Sequence, residues 1–270
     1  MKLLFFCLIV LFNIPSLAQS HIKIVTIKNG NTSVLYAENN EVYTVSLLLQ
    51  LELRNMVSSS GTDKIYIVPK KTKGFRLTEL KPIKRDGFGY SLHFTNVFGD
   101  VNQQVAEDDY DYNLPYQKGL QFTIEQGYYG RFSHQNENAL DFNMPIGTDI
   151  LAAREGIIVD VVDSFIGACL DVVCKKKANY VLIAHADGTF ANYAHIQYHG
   201  AKVAVGDVVN KGELIAVSGN TGYTKGPHLH FVVFLPHING RETLATKFKI
   251  GNGDNSAYLQ EGKSYNRRYK

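Results

Sequence analysis

Two imidazoles stand two residues apart in Gly226-Pro227-His228-Leu229-His230-Phe231, a run that reads as the start of a β-strand. Side chains at i and i+2 of a strand share a face, so His228 and His230 can reach one site together. One can serve as a metal ligand and the other as a proton-transfer group or second ligand. Two further segments supply partners, Ser133-His134 with Leu140-Asp141-Phe142, and Asn192-Tyr193-Ala194-His195. Catalytic zinc takes three ligands from His, Asp or Glu and keeps a fourth position open, a requirement that His134, Asp141 and His230 meet. His195 and His228 are then left to take the proton of a water and to stabilise an oxyanion, because imidazole donates, accepts or carries charge near neutral pH. Four histidines and one carboxylate in three β-like segments point to a mononuclear metal hydrolase. The chain has no phosphate-binding loop, dinucleotide fingerprint or Gly-x-Ser-x-Gly elbow to offer a different chemistry.

The elements that position these residues fall in two halves. Before residue 100, Glu41 to Leu53, Lys64 to Val68 and Tyr90 to Asn96 alternate or cluster β-branched and aromatic residues between polar breaks, the pattern of strands in a small β-sandwich. Glu107-Asp108-Asp109 and Asp111 to Pro115 read as a connector. Beyond it, strand signals recur between turns at Gly147-Thr148, Glu155-Gly156, Asp187-Gly188, Val205-Gly206-Asp207 and Lys211-Gly212, as in a compact all-β domain.

At the start of the chain, Lys2, the apolar run Leu3 to Phe12 and the small residues Ser16-Leu17-Ala18 before Gln19 have the form of an export signal. The run is too short for a permanent membrane anchor. The expected organisation is therefore a signal peptide over 1–18, a β-rich domain of open role over 19–114, a catalytic all-β domain over 115–240 and a C-terminal extension over 241–270. A secreted or periplasmic protein follows. With 28 basic and 25 acidic residues, the near-neutral balance gives no basic face for nucleic acid. The four basic residues between Lys263 and Lys270 read as a solvated end.

The blocks Gln126-Gly127-Tyr128 through Phe132-Ser133-His134, Ala139-Leu140-Asp141-Phe142, Ala152-Ala153-Arg154-Glu155-Gly156, Tyr193-Ala194-His195 and Ser218-Gly219-Asn220-Thr221-Gly222 leading to His228-Leu229-His230-Phe231 occur in order. The stretch that contains them, roughly residues 115 to 235, resembles the lysostaphin-like or LytM-type zinc metallopeptidases, peptidase family M23. The resemblance implies one zinc held by His134, Asp141 and His230, a catalytic pair His195 and His228, an antiparallel-sheet catalytic domain and peptidoglycan peptide as substrate. The first His and the Asp are further apart here than in the commonest family pattern, with Gln135 to Asn138 read as a lengthened turn.

Other readings have their own signals. A catalytically silent or autoinhibited family member would bind cell wall or regulate another hydrolase, but such proteins commonly replace site residues, and all five are present. A β-sandwich interaction module suits residues 19–114 better than the rest. That domain is expected either to orient the enzyme or to cover the groove. His185 is expected to pack at a hairpin edge, while His21, His93, His199 and His237 read as structural or surface residues. With the zinc accounted for and an oxidising compartment implied, Cys169 and Cys174 are expected to form a disulfide that clips a loop beside the groove.

Overall fold

The computed structural model describes residues 22–84, 87–103 and 110–270. The export signal, His21 and the acidic run Glu107-Asp108-Asp109 lie outside the described residues. As the residue patterns imply, the fold is all-β, and the one helical element among the described residues is a 3-10 turn, Val172–Lys177.

The N-terminal part is a sandwich. One sheet orders the strands Ile22–Asn29, Thr32–Asn39, Thr72–Pro82 and Met56–Ser58, and the other Asp63–Val68, Val45–Arg54 and Gly89–Phe98. The three segments expected as strands from their β-branched and aromatic content are the three strands of this second sheet. Alternation works as it should on a half-buried surface: Thr32–Asn39 buries every second residue, including Leu35 and Ala37. Those side chains meet Leu47, Leu49, Leu77 and Leu80 in a core of their own.

The C-terminal part is built on a larger sheet. Its strands run in the order Val208–Val209, Gly156–Val162, Tyr180–Ala184, Phe190–Ala194, Leu229–His237, Ala139–Phe142, Gln121–Gln126 and Ser264–Asn266, with Gly240–Leu244 hairpinned onto Leu229–His237. A second sheet of Asp149–Leu151, Leu214–Ser218 and Ile196–Ala201 completes the layer below. Leu140, Phe142, Tyr193, Leu229 and Phe231 project into the main core with Ile150, Ile196, Ile215 and Ala216 of that second sheet.

Two segments depart from expectation. Asp111 to Pro115 is no connector: Tyr112, Leu114 and Tyr116 are fully buried in the main core, and Asp111–Tyr112 pairs in parallel with Lys247–Ile250. The charged residues of this stretch obscured a strand-like alternation. The basic tail is a solvated end only in part: Lys263, Arg268 and Lys270 are exposed, but the backbone between them is tied to the domain. Arg267 is 4% exposed, and its Nη1 donates to the carbonyls of Leu114 and Tyr116. Tyr269 accepts from the Leu114 amide and donates to the Lys249 carbonyl, so residues 241–270 close the domain.

Along Phe190–Ala194 and Leu229–His237 of the main sheet, odd residues such as Ala191, Tyr193, Phe231 and Val233 enter the core, and even ones occupy the other face. At one end of that face Phe190 and Phe234 stack with centroids 5.7 Å apart, beside Leu182 and Val159. Tyr43 and Phe98 of the sandwich pack on this cluster, with Phe98 6.1 Å from Phe190. Gly99, with φ of 76°, lies so close to Phe190 and Pro236 that a Cβ there would collide. The two parts share an apolar seam. A chain cut to begin at Tyr110 uncovers Phe190 and Phe234 and should melt below the full chain, since complete exposure of one such ring costs about 1.5–3 kcal/mol. Equal melting temperatures by calorimetry would contradict this account of the seam.

Candidate metal centre and groove

At the other end of the same face, strand pairing sets Asp141 directly opposite His230, and His230 opposite Ala194. All five residues singled out in the sequence meet here. Asp141 Oδ1 lies 2.9 Å from His230 Nδ1 and 3.2 Å from His134 Nε2, and those two nitrogens are 3.2 Å apart. Ligand atoms bound tetrahedrally to zinc are separated by about 3.3 Å. This triangle of two imidazole nitrogens and a carboxylate oxygen can hold a metal ion. His228 brings Nε2 to 3.6 Å from Asp141 Oδ1, and the His195 and His228 rings are 4.6 Å apart.

Backbone carbonyls set the tautomers. His134 Nδ1–H donates to the Gly127 carbonyl at 3.0 Å, His195 Nδ1–H to Thr221 at 2.6 Å and His228 Nδ1–H to Gly226 at 2.9 Å. Each therefore turns Nε2 to the site. Strand alternation alone would send His195 into the core after groove-facing Ala194, but a φ of 64° bends the backbone and returns the ring to the groove. His134 sits in the turn that carries Gln135 to Asn138, and the Glu137 amide donates to the His134 carbonyl at 3.0 Å.

Burial pushes the Asp141 carboxyl upward, but bonds from His134 and His230 outweigh it and hold the group well below the ordinary carboxylate range. Burial opposes the charge on His134, yet Asp141 raises its pKa above the usual imidazole value. His195 is pushed down to about 3, first by burial and then by the neighbouring His228 and His230, so it stays neutral near pH 7.

Gln126 is the functional residue that side-chain chemistry alone missed. Its Nε2 donates to Asp141 Oδ2 at 3.0 Å and to Ser133 Oγ at 2.7 Å, while Oε1 accepts from the amides of Phe132 and Ser133. It thus orients one candidate ligand and anchors the loop bearing another. Gly130 is required beside it, because a Cβ there would strike the Gln126 side chain. Its place at the end of a strand-like run, four residues before a glycine, was the one signal available, and a weak one.

The centre lies in a groove of about 780 Å³ whose walls include Phe132, Lys175, Tyr223, Lys225 and Arg241. Among the described residues, none of the N-terminal sandwich lines it. Cys169 and Cys174 form the expected disulfide, which closes the loop immediately before Lys175. His185 is buried at the end of the Tyr180–Ala184 strand with Nδ1 on the Glu155 carbonyl, and His93, His199 and His237 are exposed, away from the centre.

Residues 135–243 match the model of peptidase family M23, beginning one residue after His134. An uncharacterized metalloprotease of Buchnera aphidicola is 38% identical over 96 residues, 36% of this chain and 22% of that protein. The peptidoglycan DD-endopeptidase ShyA of Vibrio cholerae is 33% identical over 115 residues, 42% of this chain and 23% of that protein. The chain thus spans less than a quarter of the length of these relatives. The catalytic domain of lysostaphin from Staphylococcus simulans is 28% identical with a TM-score of 0.34, covering 46% of this chain and 87% of that one.

Asp141→Ala and His230→Ala should each purify without metal, and full occupancy by elemental analysis in either would reject the triangle as a metal centre. Gln126→Ala should keep the fold and weaken metal affinity about 10–100-fold, as loss of a ligand's orienting partner does, read by competition with a chromophoric chelator. Because a proton and a metal compete for His134 Nε2, uptake should release a proton near neutral pH, and affinity should fall as the pH drops through the raised His134 pKa. Calorimetry in buffers of different ionisation enthalpy measures that release.

Proposed function

We propose that this chain, whose residues 135–243 are a peptidase family M23 domain, is an exported endopeptidase that uses one zinc ion per chain to hydrolyse peptide bonds in peptidoglycan stems or cross-links. The observation that carries the reading is the convergence of His134 Nε2, Asp141 Oδ1 and His230 Nδ1 beside two histidines with inward-facing Nε2 atoms. The substrate class is supported by the matched relatives, one of which is named a peptidoglycan DD-endopeptidase.

His134, Asp141 and His230 would hold the zinc, which when bound supplies a Lewis acid that polarises a peptide carbonyl and makes water acidic enough to attack near neutral pH. His195 and His228 are the proton-transfer pair. With Nδ1–H tied to a carbonyl, neutral imidazole offers Nε2 as the acceptor for the proton of the attacking water. Protonated Nε2–H then becomes a donor, first to the developing oxyanion and then to the leaving amine nitrogen, which returns the ring to its neutral form. Burial keeps His195 ready for this role, since its depressed pKa leaves it unprotonated across the neutral range. The groove is open at Gly226, where no side chain separates an extended peptide from the histidines, and small residues at the cleaved bond fit best.

Digestion of purified peptidoglycan by the full zinc-loaded chain, with products identified by mass spectrometry, tests the reading. Cross-link fragments should appear, a chelator should abolish them, zinc should restore them, and serine-protease inhibitors should have no effect. His195→Ala and His228→Ala should retain zinc and lose turnover by on the order of a hundredfold or more. Tight binding of every peptidoglycan type without cleavage would replace the enzyme with a silent regulator.

A further inference from the structure

Beside the metal triangle, one wall of the groove is a ladder of rings and ammonium groups. Phe132 and Tyr223 stack with centroids 5.5 Å apart and planes 13° from parallel. Lys225 Nζ stands 3.7 Å from the Phe132 centroid, and Lys175 Nζ 5.5 Å from that of Tyr223. All four residues line the same groove as Asp141 and His230. From it we infer that the wall is a subsite for a carboxylate on the substrate peptide; the inference rests on the peptidase reading above.

The ring faces attract the ammonium groups and restrict two otherwise flexible side chains. Each ammonium carries three donors, and among the described residues neither is ion-paired with a carboxylate. Three of the four acids that line the groove are engaged: Glu137 pairs with Arg241 at 2.7 Å, Asp141 sits among the histidines, and Glu261 accepts from the Gly127 amide; the fourth, Glu125, makes no ion pair with either lysine among the described residues. The wall therefore holds two positioned cations over an apolar surface. A carboxylate attached to a short aliphatic stem matches both features, with the stem on the rings and the oxygens at Lys225 and Lys175.

The wall is held from behind. Ala168–Cys169 pairs in parallel with Gly222–Tyr223, which ties the Tyr223 backbone to the loop closed by the Cys169–Cys174 disulfide. Gly222, at φ 82°, packs so tightly on Ala178 that a Cβ would contact it at 2.7 Å. Lys175 and Tyr223 thus belong to one clamped unit, while Phe132 and the candidate ligand His134 share a loop anchored by Gln126. A carboxylate on this wall is fixed relative to the metal centre.

The test uses short peptides of alanine and glycine bearing one glutamate, or glutamine in its place, at each position on either side of the cleaved bond. For the full zinc-loaded chain, kcat/KM should favour glutamate about fivefold at one position or more, the factor expected of a charge pair at a partly exposed site, and less in high salt. In K175Q/K225Q that acid-to-amide ratio should fall towards one; both lysines are exposed, so the fold is kept. K176Q/K177Q, which removes the same two charges outside the groove, should leave the ratio unchanged. Fluorescence anisotropy with the metal-free chain reads the wall apart from the chemistry. Acid-preferring binding that the double variant loses, without any cleavage, would overturn the peptidase reading and keep the subsite. Equal binding and equal cleavage of the two peptide series, or a ratio that survives K175Q/K225Q, would overturn the subsite.

Discussion

A carboxylate taken out of water must find compensating charge or donors, and Asp141, only 6% exposed, finds both in histidines from two other segments. The register that places it opposite His230 is the constraint on which the site depends. A slip by one residue between Ala139–Phe142 and Leu229–His237 would bring Leu140 to the centre and drive Asp141 into the cluster of Phe142, Phe231 and Phe248. Burial of Leu140, Phe142, Leu229 and Phe231 on the reverse face forbids that slip. The apolar core therefore holds the polar centre in register, and the two cannot be optimised separately.

The parts legible in sequence were those governed by short periods. His228 and His230 share a face because strands repeat every two residues, and the three strands of one sandwich sheet follow from their own alternation. Less was legible where a single backbone angle or a distant partner decides the outcome. His195 reaches the groove through a positive φ that no neighbouring residue announces. Gln126 looks like an ordinary polar residue until the turn at Gly130 brings Phe132 and Ser133 back onto it. The tail was partly misread for the same reason. Its charges suggest solvent, yet Arg267 spends its guanidinium on carbonyls some 150 positions earlier, at Leu114 and Tyr116.

Several residues in the quoted blocks work through the scaffold rather than the chemistry. Arg154 donates to Asp187 at 2.6 Å and lies 4.0 Å from the centre of the Tyr110 ring, joining the block at Ala152 to the hairpin after His185. The Ala153 amide donates to the buried Tyr193 hydroxyl, two residues before His195. His185 is buried and pushed down to about 4 chiefly by desolvation, which keeps it neutral above that pH. Its protonation on acidification is disfavoured in the folded chain, so the fold loses stability as the pH falls from the ordinary imidazole value towards about 4. Two histidines outside the reactive pair thus illustrate opposite regimes: His134 is raised by a carboxylate partner, and His185 is lowered by an apolar setting.

The main sheet uses one face for two purposes. Even-numbered residues of Phe190–Ala194 and Leu229–His237 run from the aromatic seam, at Phe190 and Phe234, to the candidate metal centre, at Ala194 and His230. Asn192 and Val232, paired with each other, are all that separates the two along these strands. The sandwich is consequently a fixed neighbour of the groove, seated by the packing of Tyr43 and Phe98, and its described residues leave the groove lining untouched. That arrangement is unlike a removable cover. A cover must leave by breaking weak, solvated contacts, whereas departure here would expose stacked aromatic rings to water. The groove wall where Tyr223, tied to the disulfide loop, meets the Phe132 loop lies apart from that seam, and it is there that the proposed subsite would read the charge of a substrate.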